Sequence, residues 1–170
     1  KKGKTFEWGP PPKTTNYWDA ISESEKRTLE FVDKAVEAKK PFFIAHHPIL
    51  LSFMPDPRNP KKRTANKNVM AEAIERLDDF IAQLRTRLEE QGVADNTLII
   101  LQADNGPFIH YGPRGMVETL YTGGKGDYTE GGIRVPAIAW WPGVIKPGQV
   151  IGDIIHETDL FTTFARLVGA

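Results

Sequence analysis

Thr97-Leu98-Ile99-Ile100-Leu101-Gln102-Ala103 runs without a break into Asp104-Asn105-Gly106. A stretch this short and this apolar reads as a strand covered on both faces, the pattern of a parallel sheet inside an α/β domain. Upstream, from about Asn66, residues Met70, Ile74, Leu77, Ile81, Leu84 and Leu88 form one apolar stripe at helical spacing, and Gly92 stands where a helix C-cap belongs. Further upstream, Pro41-Phe42-Phe43-Ile44-Ala45 reads as a second buried strand. Ser22 with Glu25 three residues on is a capping-box signal, and Leu29, Val32 and Val36 continue it as a helix to about Ala38. Downstream, Val135 to Trp140 is a third strand, and Asp159 to Val168 is a closing helix with Leu160, Phe164, Leu167 and Val168 on one face. Residues 1–21 read as an extended surface segment and residues 55–63 as a polar loop. The order α-β-α-β-β-α predicts an α/β fold, a sheet with helices packed on its faces.

The chain has 170 residues, 40% hydrophobic and 26% charged, enough for one globular core. Lys plus Arg and Asp plus Glu number 22 each, so there is no basic surplus of the kind that nucleic acid or an anionic membrane surface would require. No apolar run reaches the roughly 18 residues of a membrane-spanning helix. The basic start, Lys1-Lys2-Gly3-Lys4, leads into Trp8-Gly9-Pro10 and not into the apolar stretch of a signal peptide. With no cysteine, disulfides and thiolate metal sites are excluded.

In open α/β sheets ligands gather at the carboxyl ends of strands, and both His46-His47 and Asp104-Asn105 fall at such ends. Asp104 and Asn105 offer hard oxygens of the kind Ca²⁺ or Mg²⁺ prefers; the same residues before Gly106 also make an ordinary turn. Gly123-Gly124-Lys125-Gly126 lets backbone approach a ligand and presents an ammonium to an anionic oxygen, or forms a loop with a solvated lysine. It is not a phosphate-binding P-loop, since Gly126 and Asp127 follow the lysine. Glu130 has a structural reading, bonded to loop backbone or paired with Arg134 or Lys125. His46 and His47 are adjacent on a strand and point to opposite faces, so only one of them faces a shared site. His110 and His156 have no supporting pattern.

Taken in order, Asp95-Asn96-Thr97, Ala103-Asp104-Asn105-Gly106-Pro107, Gly123-Gly124-Lys125-Gly126, Glu130-Gly131-Gly132-Ile133-Arg134-Val135-Pro136 and Trp141-Pro142-Gly143 closely resemble the sulfatase family, as does the ending from Asp159 to Gly169. The resemblance covers residues 41–170 well and 22–40 loosely, and marks 22–170 as the C-terminal part of a sulfatase catalytic domain. It implies a fold similar to alkaline phosphatase, a mixed sheet between helical layers, incomplete in this chain. It further implies hydrolysis of a sulfate monoester through a formylglycine beside a Ca²⁺ ion, with Mg²⁺ as the alternative. Carried over by motif, Asp104 and Asn105 are two ligands of the ion, with Asp104 also near the nucleophilic hydroxyl, and Lys125 binds a sulfate oxygen and stabilises the leaving group. The family's histidine usually lies a little beyond the Pro-Phe-Phe strand, often before a proline; Leu50 to Met54 occupy that stretch here, and His47 before Pro48 is the substitute. His47 and Lys125 are thus the expected catalytic and substrate-binding pair.

The sequence departs from the family in having no C-x-[PA]-x-R or S-x-[PA]-x-R motif and no early acidic pair. The expectation is therefore a chain without its nucleophile, inactive alone, whose partner is the N-terminal part of the same catalytic domain. A phosphate or phosphonate ester hydrolase of the same superfamily is the alternative, though the single Asp-Asn pair with Gly-Gly-Lys-Gly suits a one-metal sulfatase better. An inactive fragment or interaction module is the other alternative. The resemblance places the protein in the periplasm or outside the cell.

Overall fold

The computed structural model describes residues 17–48, 69–109 and 120–170; residues 1–16, the 55–63 loop, Asn66 and His110 lie outside the described residues. The elements in order are α1 (Tyr17–Glu37), α2 (Val69–Glu90), a 3₁₀ turn (Ala94–Asn96), β1 (Ile99–Gln102), a helical turn α3 (Glu130–Ile133), β2 (Ala137–Trp140) and α4 (Glu157–Leu167).

Helix α1 begins at Tyr17, ahead of the expected start, so residues 17–21 are helical and not extended. Trp18 and Ile21 are buried there, which is the apolar contact that carries the helix past Ser22. Ser22 is no N-cap: its hydroxyl donates to the Trp18 carbonyl one turn back. The Ser22–Glu25 pair instead receives Arg76 of α2, whose guanidinium donates to the Ser22 hydroxyl at 3.0 Å and to both oxygens of Glu25 at 3.1 and 2.8 Å. A capping-box pattern and a docking site for an arginine look the same in sequence.

Helix α2 ends as expected. Gly92 takes φ +68°, Gly92 N–H donates to Glu89 and Val93 N–H to Leu88, the paired bonds of a Schellman motif. Its buried stripe is Ala73, Phe80 and Leu88, whereas Ile74, placed on the stripe by spacing, is 53% exposed. Val32 of α1 and Leu88 of α2 are fully buried against Ala94, with Val36, Phe42, Ile44, Leu84, Ile99 and Trp140 packed around them. Burying each of those two side chains contributes about 1.5–3 kcal/mol. Asp33 fastens the same pair of helices, accepting from Arg87 and from Gln91.

Strand β1 pairs with β2 antiparallel, Ile99 opposite Trp140 and Gln102 opposite Ala137. This corrects the parallel reading of 97–103. The chain returns along β1 through the glycine-rich loops, and the two strands are only partly covered, Ile99 to Leu101 half-buried and Ile138 63% exposed. Among the described residues the expected strand 41–45 joins no ladder, yet exposure alternates from Pro41 to Pro48 as along a strand. Phe42 and Ile44 turn to the α1–α2 core, while Phe43 meets Phe164 of α4 edge to face at 5.8 Å. Gln102 reaches Glu157 at the start of α4. The extended segments therefore lie between α1–α2 and α4, an α/β layering with helices on both sides.

Helix α4 opens on His156, whose Nδ1 accepts from the Thr158 N–H while the Asp159 carboxylate accepts from the His156 N–H. That capping box gives His156 a structural place. None of the residues of α4 is buried, and Phe161 and Val168 are exposed along with Ile138, Val150 and Ile154.

Candidate functional site

Two loops meet beyond β1. The first, Ala103 to Ile109, leaves the strand; the second, Thr122 to Arg134, carries Lys125 and ends in α3. They are joined backbone to backbone. Gly106 N–H donates to Gly132 C=O at 2.9 Å and Lys125 N–H to Pro107 C=O at 2.8 Å; within the second loop Gly131 N–H donates to Thr122 C=O at 2.9 Å. Gly106, Gly124, Gly131 and Gly132 are all buried at this junction. A Cβ on Gly106 would stand 1.8 Å from the Gly131 carbonyl oxygen, and one on Gly124 2.4 Å from that of Pro107, so the contact requires glycine on both sides.

The backbone lock brings the Asp104–Asn105 loop and the Lys125 loop together. Asp104 is exposed at the strand end, and Asn105 is half-buried with its Nδ2 donating to Gly106 C=O at 2.8 Å. That bond orients the amide and leaves its Oδ1 for another partner. Among the described residues no hydrogen bond or ion pair engages the Asp104 carboxylate, and no three His, Cys, Asp or Glu side chains gather around a common point. Asp104 and Asn105 thus suit a hard cation in kind, as oxygen donors, but a calcium ion takes six to eight oxygens and needs further ones.

Lys125 is exposed, with Nζ 5.7 Å from the centre of the Phe108 ring. Glu130 pairs with Arg134 one helical turn on, and the Arg134 guanidinium lies over Tyr121 at 5.0 Å and donates to its hydroxyl at 3.3 Å. This settles Glu130 as a structural partner of Arg134. Phe108 and Tyr121, the ring partners of the two cations, carry no spacing signal that marks them in the sequence. Nor does the Asp127 carboxylate, which accepts from Gly124 N–H at 2.9 Å; its only trace is its place directly after Lys125-Gly126.

The two histidines point apart, as adjacent residues on an extended segment must. His46 faces the helices, 2.9 Å from the Thr28 hydroxyl and 4.7 Å from the Phe80 ring. His47 is exposed on the opposite side, the side of Phe43, and among the described residues no hydrogen bond joins it to either loop. The structure therefore joins the loops that carry Asp104, Asn105 and Lys125, and His47 lies on a separate segment.

The family model described as Sulfatase matches residues 5–170. The chain belongs to the sulfatase family. It is 41% identical over 104 residues to the steryl-sulfatase of Rattus norvegicus, a match covering 58% of this chain and 18% of that protein. It is 34% identical over 132 residues to the N-acetylgalactosamine-6-sulfatase of Homo sapiens, covering 73% of this chain and 25% of that protein. The crystal structure of PsFucS1 sulfatase from Pseudoalteromonas sp. superposes with a TM-score of 0.74 at 34% identity, over 86% of this chain and 29% of that one. This sulfatase chain thus spans less than a third of the length of the relatives and of the solved structure, and its fold is the α/β fold of that family. Among the described residues no helix is long and apolar enough to cross a membrane.

Proposed function

We propose that this chain supplies the metal-binding and leaving-group side of a site that hydrolyses a sulfate monoester. The observation that carries the reading is the backbone lock between the two loops, in which Lys125 N–H meets Pro107 C=O three residues after Asp104. It joins the residues that carry an ammonium and two oxygen ligands through one backbone junction.

The chemistry follows from charge. A sulfate ester is anionic, and as the ester S–O bond breaks, further negative charge develops on the departing oxygen. A lysine ammonium held at that oxygen opposes the charge, and does so most strongly where water is excluded. Lys125 serves this role, and His47, exposed on its own segment, is the second group that would meet the sulfate. Asp104 and Asn105 would supply two of the oxygens of a Ca²⁺ ion, which when bound polarises a sulfate oxygen as a Lewis acid. Ser22, Ser24 and Ser52 are the chain's serines, and none stands in S-x-[PA]-x-R; with no cysteine either, a formylglycine nucleophile comes from outside these residues. The N-terminal part of a sulfatase catalytic domain is accordingly the proposed partner, covering the exposed apolar side chains of α4 and β2. A periplasmic or extracellular setting belongs to the same reading.

The test is turnover of an aryl sulfate. The 170-residue chain by itself is expected to give none, and in the whole sulfatase Lys125→Ala is expected to lower kcat on the order of 10²–10³-fold. A kcat near the wild-type value for Lys125→Ala would remove the lysine from the reaction.

A further inference from the structure

We propose that Asp127 is a positioning residue that fixes the turn on which Lys125 stands, an inference that rests on the reading of Lys125 given above. The turn from Gly124 to Asp127 is tied twice. Asp127 N–H donates to Gly124 C=O at 2.9 Å, and the Asp127 carboxylate accepts from Gly124 N–H at 2.9 Å. Lys125 lies between the two ties, and its own N–H is held by Pro107 C=O at 2.8 Å. The residue carrying the ammonium is thus fixed at its backbone from two directions.

The carboxylate sits close over the loop. A Cβ built on Gly123 would lie 2.9 Å from Asp127 Oδ2 and 2.0 Å from Thr129 Oγ1, and Gly123 and Gly126 take φ +90° and +94° on either side of the lysine. Both positive-φ positions bend the chain sharply, and the charge-assisted bond from Gly124 N–H to Asp127 is what holds the bend shut. Among the described residues no ion pair joins Asp127 to Lys125. The ammonium points instead toward the Phe108 ring, 5.7 Å away. Asp127 therefore acts on the backbone and leaves the cation free for an anionic oxygen; were it to pair with Lys125, it would neutralise the charge it positions.

A turn loosened by loss of the carboxylate lets the ammonium wander by the ångström or so that matters to a group acting on developing charge. In the whole sulfatase, with an aryl sulfate as substrate, Asp127→Ala is expected to lower kcat by roughly tenfold to a hundredfold, with KM changed far less. Asp127→Asn, which keeps an acceptor oxygen, is expected to recover most of the loss. The discriminating variant is the double one. If Asp127 acts through Lys125, Lys125→Ala/Asp127→Ala turns over no more slowly than Lys125→Ala alone, because the group being positioned is already gone. Losses that simply multiply would make Asp127 a general structural residue and overturn the proposal, as would an unchanged kcat in Asp127→Ala. Amide hydrogen exchange at Gly124 separates the two layers of the argument. It should quicken in Asp127→Ala and return toward normal in Asp127→Asn; unchanged exchange overturns the tie itself. A silent Lys125→Ala beside a quickened Gly124 would instead overturn the reading of Lys125.

Discussion

Between α1 and α2 the contacts are side chain on side chain: Val32 against Leu88 at full burial, Arg76 on Glu25, and Arg87 with Gln91 on Asp33. Between the loops that bear Asp104 and Lys125 they are backbone on backbone, with buried glycines where side chains would otherwise be. One region uses its side chains to hold itself together. The other is joined loop to loop by its peptide groups, with the Asp127 carboxylate bracing one turn, and Asp104 and Lys125 stay exposed. On the proposed reading a site that meets a ligand with charged groups benefits from the second arrangement, because the Asp104 carboxylate and the Lys125 ammonium are in no ion pair among the described residues.

The comparison is sharpened most by cutting each region with its own kind of mutation. Leu88→Ala removes a fully buried side chain from the helical core and is expected to destabilise the chain by about 2–5 kcal/mol. Denaturant titration followed by circular dichroism would measure it. A loss well under 1 kcal/mol would mean that the α1–α2 contact contributes little and the contrast between the regions is false.

Gly106→Ala cuts the other region. Its Cβ meets backbone, the Gly131 carbonyl oxygen at 1.8 Å, so no flexible side chain can yield and the loops must part. The expected cost is about 1–3 kcal/mol, smaller than for Leu88 but placed where it counts. Hydrogen exchange should quicken at Lys125, whose N–H donates across the junction, while the amides of α2 keep their protection. Loss of protection in α2 as well would show that the two regions open as one unit.

These regions also differ in how far the sequence discloses them. The core of α2 is legible because burial on a helix repeats every turn, and the Gly92 end is legible because left-handed backbone selects glycine. Where the reading fails, a tertiary partner is the reason. Ser22 and Glu25 have the spacing of a cap and are used by Arg76, an element 51 residues from Glu25. Trp18 and Ile21 lie beside Tyr17 in a stretch without visible periodicity, and only their packing shows them to be helical. The apolar run 97–103 states burial but not strand direction, which depends on where β2 returns. The loops are legible only as motifs. Gly106, Gly131 and Gly132 mark close backbone approach, but nothing in their order says which glycine meets which. Asp127 escapes the sequence for the same reason, since its partner is a peptide N–H and not a side chain with a pattern of its own.

The smallest effect tests a point where the helical region holds a titratable group of its own. The Thr28 hydroxyl donates to Ser24 C=O at 3.0 Å, so at 2.9 Å from it His46 Nδ1 must carry the proton and donate. Nε2 is then a bare lone pair, buried with no hydrogen-bond partner among the described residues. Burial pushes the imidazole below its usual value; the Glu25 carboxylate opposes this and His47 adds to it. Protonation would place a hydrogen on Nε2 with no acceptor to receive it. In the unfolded chain His46 titrates near its ordinary value of about 6.5, and in the fold below that. Between the two values the unfolded state binds more protons, so the contribution of neutral His46 is full above about pH 6.5 and declines as pH falls toward the folded value. The melting temperature should therefore drop on going from about pH 7.5 to about pH 5.5, and drop less in His46→Gln, which cannot titrate. Equal drops in both proteins would take the acid sensitivity away from His46 and would leave the α1–α2 region held by packing and ion pairs alone.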